Sequence, residues 1–498
     1  MRTLVQVGNF VRGRLVPPAS VEGSVVVRSP ADQNDVVCEQ AFGLGAVDDA
    51  IDAARKAASR WRSVALPERI ACLRRYAARL DAHASLIAHT IAREVGKPSW
   101  EAQAEVRAMI AKVDLSVDAM QRYTADHTLP DASGEVRYRP HGVVAVVGPF
   151  NMPGHLPNGQ IVPALLHGNT VVFKPSDRTP TTGVWIAMCL AEAGLPAGVL
   201  NLVHGDGRVG QALTEHRDVD GILFTGSVAT GKAIVSANVH RLDRIIALEL
   251  GGKNAALALD DCDIERTARA VVFGAFASSG QRCSATSRLM VHRRIAPRLI
   301  SRVVQLTQSL RVGYPLDPDV FMGPVISEAA RQQILERQRA ALDTGFEPLV
   351  SGGAAQVPGR AGWYLQPAIH QSPGLNVVAP RYEREELFGP DLAVYVFDDD
   401  TDAIRLANDT PYGLTAAVFT AHRARFEALA EVLEVGVVHW NRPTAGASSK
   451  LPFGGIKHSG NHRPGGILMG SACAFPQARL LEEPAGASLA SWPGTGWG

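Results

Sequence analysis

From position 143 onward the chain carries short, unbroken apolar runs set apart by segments of helix length. Val143-Val-Ala-Val-Val, Thr170-Val-Val-Phe, Val199-Leu-Asn-Leu-Val, Gly221-Ile-Leu-Phe and Ile245-Ile-Ala-Leu have no polar–apolar alternation. Strands covered on one face alternate, whereas strands covered on both faces read in this unbroken way. The intervening stretches, such as 181–193, are long enough for crossover helices, so the pattern predicts βαβ units and a doubly wound parallel sheet. A second series follows, with strands at Ala255-Ala-Leu-Ala-Leu, Leu289-Met-Val, 392–397 and 436–439, and helices near 264–278 and 296–310. With 498 residues to place, two α/β domains fit better than one.

The N-terminal part differs. Its first ~40 residues read as short strands and turns, and helical spacing then takes over. Ile51, Ala54, Ala58 and Trp61 recur on one face, as do Ile70, Leu73, Ala77 and Leu80 behind Pro67, a good first-turn residue. A third helix should stop at Gly96-Lys97-Pro98, and another should span 100–123. Glu135-Val-Arg-Tyr-Arg alternates and predicts a half-exposed strand. The Gly-, Ala-, Ser- and Pro-rich end, taken as 479–498, is expected to be loosely held.

Composition excludes several functions. Fifty Lys and Arg against 49 Asp and Glu leave a net charge of +1, which argues against nucleic-acid binding. The N-terminal residues carry no apolar signal core, and no run reaches the roughly 18 apolar residues of a membrane span, so a cytoplasmic protein is expected. Six scattered cysteines, with no C-x-x-C pair and no His cluster beside them, predict neither disulfides nor a metal site.

Chemistry is then sought at strand ends. Gly205-Asp-Gly-Arg-Val-Gly210 matches a dinucleotide turn, but the acidic partner due about 20 residues later is missing, so it reads equally well as a glycine-rich βα turn. Phe224-Thr-Gly-Ser-Val-Ala-Thr-Gly231 is a better phosphate candidate. Ser227 can cap the helix that starts there, leaving the N–H groups of residues 226–231 for a pyrophosphate; a plain cap is the alternative. Asp177, in Lys174-Pro-Ser-Asp, can accept from a ribose diol or simply sit in a solvated loop. Among the cysteines, Cys283 in Gly280-Gln-Arg-Cys-Ser has the polar, small-residue setting that a reactive thiolate needs; Cys72 and Cys189 lie inside apolar helical patterns. Glu249, ahead of Leu-Gly-Gly, places a carboxylate at a strand end and is a candidate general base.

These segments, with Gly148-Pro-Phe-Asn151-Met-Pro, Glu386-Leu-Phe-Gly-Pro390 and Pro452-Phe-Gly-Gly-Ile-Lys before Ser459-Gly, resemble the aldehyde dehydrogenase superfamily in order and spacing, over about residues 20–478. The resemblance implies an NAD-binding domain (1–124 and 144–247), a catalytic domain (248–442), and a β-arm (125–143 and 443–478) that assembles homodimers or homotetramers. It implies that Cys283 attacks an aldehyde, that Asn151 and the Cys283 N–H hold the oxyanion, and that Glu249 activates the water that hydrolyses a thioester. Lys174, Ser176, Asp177, Gly226, Ser227, Val228, Ala229, Thr230, Gly231, Glu386 and Phe388 would hold NAD, and no metal, nucleic acid or membrane partner is expected.

The stretches 151–165 and 439–447 and Ser459-Gly-Asn-His-Arg-Pro464 are similar to the N-succinylglutamate 5-semialdehyde dehydrogenases of bacterial arginine degradation. Met152 (for an aromatic), Asp177 (for Glu) and Lys457-His458 depart from the usual pattern. The implied substrate is an anionic semialdehyde, with Arg442, Lys450 and Arg463 as candidate carboxylate partners; interdomain or subunit salt bridges are their other reading. A broad-range aldehyde dehydrogenase, or one for another anionic semialdehyde with NAD(P), is the alternative activity. A non-catalytic relative would lack the cysteine or the glutamate, and this chain has both.

Overall fold

The computed structural model describes residues 7–375, 380–481 and 493–494. The first series of apolar runs forms a seven-stranded sheet. Its five parallel strands stand in the order Ile245–Glu249, Gly221–Thr225, Val143–Val147, Thr170–Lys174 and Leu200–Leu202. Asn9–Val11 pairs antiparallel with Leu200–Leu202, and Arg14–Val16 extends that edge. Successive side chains point to opposite faces, and both faces are covered. Val144, Val146, Val171 and Phe173 pack against the helices Leu66–Ala82, Ala84–Val95, Ser99–Tyr123, His155–Leu166 and Pro180–Glu192. Val143, Ala145, Val172 and Ile222 pack against Gly45–Ser63, Gly207–Glu215 and Val228–Ala237. Unbroken valine runs are thus what a sheet sandwiched between helix layers requires.

The second series forms another seven-stranded sheet, ordered Glu347–Ser351, Ala368–Gln371, Asp391–Phe397, Thr286–His292, Asn254–Ala258, Thr415–Phe419 and Val437–Trp440. Only Glu347–Ser351 runs antiparallel to its neighbour. Helices Ile264–Phe276 and Ala296–Gln308 cover one face, and Asp400–Asn408 and Arg423–Ala430 lie on the other.

Gly96 ends the helix before it at φ +79°, in the left-handed conformation that favours glycine at a C-terminal cap. The N-terminal strands are longer than expected, because Gly23–Ser29 and Asp32–Phe42 form one antiparallel hairpin. The third sheet is smaller than the arm expected over 125–143 and 443–478. It holds only His127–Thr128, Gly134–Pro140 and Ala474–Leu480. Val143 belongs to the first parallel sheet, and residues 446–449, Phe453, Gly465 and Gly466 line the pocket described below. Of the expected tail, Arg479 and Leu480 lie in the arm strand, while 482–492 and 495–498 fall outside the described residues.

Candidate active site

Four adjacent parallel strands of the first sheet deliver the candidate residues at their C-terminal ends: Glu249, then Gly226-Ser227, then Asn151, then Lys174. The chain winds to one side from Val143–Val147 to Leu200–Leu202, then returns to place Gly221–Thr225 on the other side of Val143–Val147. The crevice outside this reversal is where open α/β sheets bind ligands.

The Cys283 loop is built from strained backbone. After the helix Ile264–Phe276, three consecutive residues adopt left-handed φ: Ser278 at +54°, Ser279 at +56° and Gly280 at +69°. Each non-glycine in that region costs about 1–3 kcal/mol. Glu101, from the helix Ser99–Tyr123, offsets this cost: it accepts from Ser278 N (3.0 Å) and Ser278 Oγ (2.7 Å), and it pairs with Arg282. Ser279 Oγ donates to Gly323 O at 2.8 Å. Gly280 has a steric reason as well, since a Cβ there would stand 2.0 Å from the Gly389 carbonyl oxygen.

Cys283 is partly buried at a pocket of about 150 Å³ that Asn151 and Glu249 also line. Asn151 Nδ2 donates to the carbonyl of Gln281, two residues before the cysteine, at 2.9 Å, tying the first sheet's strand-end loop to the thiol loop. Glu249 is buried; its Oε1 accepts from Gly465 N at 3.0 Å, and its Oε2 has no partner among the described residues. Burial pushes this carboxyl up to about 8, against the pull of the Gly465 N–H. Burial also pushes the Cys283 thiol up to about 12, with Glu386 and Glu249 adding to the effect. Such a site favours the protonated thiol and carboxyl at neutral pH, and its carboxylate, once formed, is a stronger base than a solvated one.

Glu386 docks on the two glycines that follow Leu250: Gly252 N donates to its Oε1 at 2.9 Å, and a Cβ on Gly251 would meet Oε2 at 2.3 Å. Burial raises its carboxyl to about 7. Phe388, at φ +53°, meets Phe150 edge-on at 5.8 Å. Lys174 is buried, and its Nζ donates to Pro175 O (3.2 Å) while its stem passes Gly210 of the glycine turn. Ser227 caps the helix Val228–Ala237 by accepting from Thr230 N at 3.2 Å, so its own hydroxyl serves the helix. Residues 227, 229 and 230 are exposed, Gly226 and Val228 are half-buried, and Gly231 packs against Leu250. Ser176 Oγ donates to Asp177 Oδ1 at 3.3 Å, in a half-buried turn.

Arg442, Lys450 and Arg463 are exposed and do not line this pocket. The pocket's cations are Arg282, engaged with Glu101, and Lys112, which the sequence reading did not single out. Lys112 shares a helical stripe with Ala102, Glu105, Met109 and Ser116, all buried. Charged residues at helical spacing from the apolar Ala102 and Met109 were the available signal. Met152, Phe453 and Met469 give the pocket apolar walls, while His155, Gln160 and Ser448 add polar groups.

The aldehyde dehydrogenase family profile matches residues 16–473. This chain belongs to the aldehyde dehydrogenase family. Among curated relatives, it is 42% identical over 460 residues to the N-succinylglutamate 5-semialdehyde dehydrogenase of Ectopseudomonas mendocina, covering 91% of this chain and 93% of that one. Against the enzyme of that name from Escherichia coli, identity is 41%, with 88% of each chain covered. Among solved structures, the γ-glutamyl-γ-aminobutyraldehyde dehydrogenase of Burkholderia cenocepacia superposes with a TM-score of 0.90 at 34% identity, covering 96% and 97% of the two chains. A P. syringae indole-3-acetaldehyde dehydrogenase in complex with NAD+ and IAA gives 0.91 at 30% identity, covering 97% and 98%.

Members of the family are NAD(P)-dependent oxidoreductases, and this aldehyde dehydrogenase has a place that fits a dinucleotide. The N-terminus of the helix Val228–Ala237 opens beside the strand reversal. Lys174 offers a buried ammonium with one carbonyl partner, and Glu386 faces the same strand ends through Gly251-Gly252. Among the described residues, no group of three or more His, Cys, Asp or Glu could hold a metal ion, and no helix is long and apolar enough to cross a membrane.

Proposed function

We propose that this aldehyde dehydrogenase oxidises an anionic semialdehyde with NAD, and that N-succinyl-L-glutamate 5-semialdehyde, giving N-succinyl-L-glutamate in arginine catabolism, is the preferred substrate. The convergence of Cys283, Glu249 and Asn151 on one pocket carries the reaction type. The names of the relatives that are 41–43% identical carry the substrate. Cys283, as the thiolate once its proton has passed to water, attacks the aldehyde carbon, forming a tetrahedral thiohemiacetal. The Asn151 amide and the Cys283 N–H hold the oxyanion; a donor of this kind is worth about 10²–10³-fold in kcat. A bound nicotinamide dinucleotide would supply the acceptor for the hydride of the thiohemiacetal C–H, which leaves a thioester on Cys283. Glu249 then takes a proton from water as that water attacks the thioester, and Cys283 leaves as thiolate.

Lys174, Ser176, Asp177, residues 226–231, Glu386 and Phe388 are assigned to the dinucleotide. Asp177 supports NAD over NADP, because a carboxylate accepts from a ribose 2′-hydroxyl and repels a 2′-phosphate. The arm strands, with Phe475 and Leu480 exposed, are assigned to assembly of a homodimer or homotetramer.

The apolar walls Met152, Phe453 and Met469 favour a second reading, a broad-range enzyme. A panel of aldehydes with NAD separates the two. A kcat/KM for the succinylated semialdehyde at least tenfold above that for hexanal is expected, and equal values would establish the second reading.

A further inference from the structure

We infer that Lys112 is the residue that selects an anionic aldehyde, its ammonium binding a substrate carboxylate inside the pocket; this rests on the substrate class proposed above. Lys112 is 4% exposed, and its Nζ has one hydrogen-bond partner among the described residues, the carbonyl of Gly466 at 2.9 Å. An ammonium carries three donors, so two remain. No carboxylate lies within ion-pair distance of it among the described residues, whereas the neighbouring buried cations are matched: Lys97 by Glu105 at 2.6 Å, and Arg282 by Glu101. An unpaired buried charge is costly, and the cost is recovered when an anion arrives.

The position suits the chemistry. Gly465 N–H holds Glu249 and Gly466 C=O holds Lys112, so neighbouring residues support the proposed base and this cation. Adding the two hydrogen bonds to the span of that dipeptide keeps the groups within roughly 12 Å of each other. In a glutamate 5-semialdehyde the α-carboxylate lies four bonds from the aldehyde carbon, about 5 Å when extended, and the succinyl carboxylate lies about 10 Å away. Both lengths fall within that span. Beside Lys112, His155 Nδ1 and Gln160 Oε1 are buried pocket-lining atoms without partners among the described residues, ready to meet the amide linkage of the same molecule. The exposed Arg442, Lys450 and Arg463 do not share this enclosure.

The test compares wild type, Lys112→Met and Lys112→Arg on N-succinylglutamate 5-semialdehyde and on hexanal. A hydrogen bond to a charged group corresponds to about 10- to 150-fold. The ratio of the two kcat/KM values should therefore fall by at least about tenfold in Lys112→Met, through KM more than kcat, and should recover in part in Lys112→Arg. In wild-type protein, N-succinylglutamate, but not hexanoate, should protect Lys112 from an amine-acylating reagent, as mapped by peptide mass spectrometry. That measurement holds even where a variant fails to fold. An unchanged ratio in Lys112→Met, or acylation of Lys112 unaffected by N-succinylglutamate, overturns the inference while leaving the substrate assignment in place. A wild-type enzyme without preference for the anionic substrate removes both.

Discussion

Replacing Glu249 with Gln separates the two halves of the proposed reaction and gives the change a pH signature. Gln keeps the volume and an oxygen for the Gly465 N–H, but it cannot take a proton from water. General-base assistance is worth about 10²–10⁴-fold, so thioester hydrolysis should slow by that factor while formation of the acyl-enzyme is affected less. The carboxyl stands at about 8, and burial is the leading cause, so the shift persists when Cys283 is acylated. A base works only when ionised. With that value, about 1% of Glu249 is ionised at pH 6, about 9% at pH 7 and about half at pH 8. Wild-type hydrolysis should therefore rise about ninefold from pH 6 to 7 and about fivefold more to pH 8, then level off, whereas the Gln variant stays flat. A 10³-fold defect at pH 8 should shrink to about 20-fold at pH 6. Stopped-flow absorbance of NADH reads both phases, with a burst near one equivalent per site followed by slow turnover in Glu249→Gln. Loss of the burst together with turnover would show that Glu249 acts before acylation. A defect of equal size at pH 6 and pH 8 would refute the buried-base argument.

Cys283→Ala should remove dehydrogenase turnover while leaving the Kd for NAD, measured by calorimetry, within about twofold, as the proposed role of its thiol as nucleophile requires. NAD should be preferred to NADP, and Asp177→Ser should narrow the ratio of their kcat/KM values; equal use of both by the wild type would dismiss the carboxylate's role. Gly280→Ala forces a side chain into left-handed backbone and against the Gly389 carbonyl, for a combined cost of about 2–5 kcal/mol, so its melting temperature should fall clearly below that of wild type.

The two parallel sheets are legible in the sequence because strands covered on both faces cannot hide their composition. Val143–Val147 and Gly221–Thr225 could be read residue by residue for this reason. The long hairpin Gly23–Phe42 is not legible: its faces are only partly covered, and its strands alternate irregularly through two register shifts. Cys283 and Glu249 announce themselves through small-residue and strand-end surroundings, but Glu386 and Phe388 have no local mark and enter through the family resemblance alone. The contact between Gly465 and Glu249 spans 216 positions, so the approach of Phe453, Gly465 and Gly466 to the pocket follows from no local pattern, and part of a segment expected in the arm lines it. The pocket position of Lys112 is illegible in the sequence for a related reason. Arginines beside a recognisable motif attract notice, but whether a side chain enters a cavity depends on tertiary packing. Lys112 is marked only by its helical spacing from the apolar Ala102 and Met109.

The most direct test of the account traps the covalent intermediate. Glu249→Gln protein mixed with NAD and N-succinylglutamate 5-semialdehyde, quenched in acid during the slow phase and digested, should yield one peptide heavier by an N-succinylglutamyl acyl group, with the modification on Cys283. An unmodified Cys283 during active NADH formation, or an acyl group on any other cysteine, would contradict it.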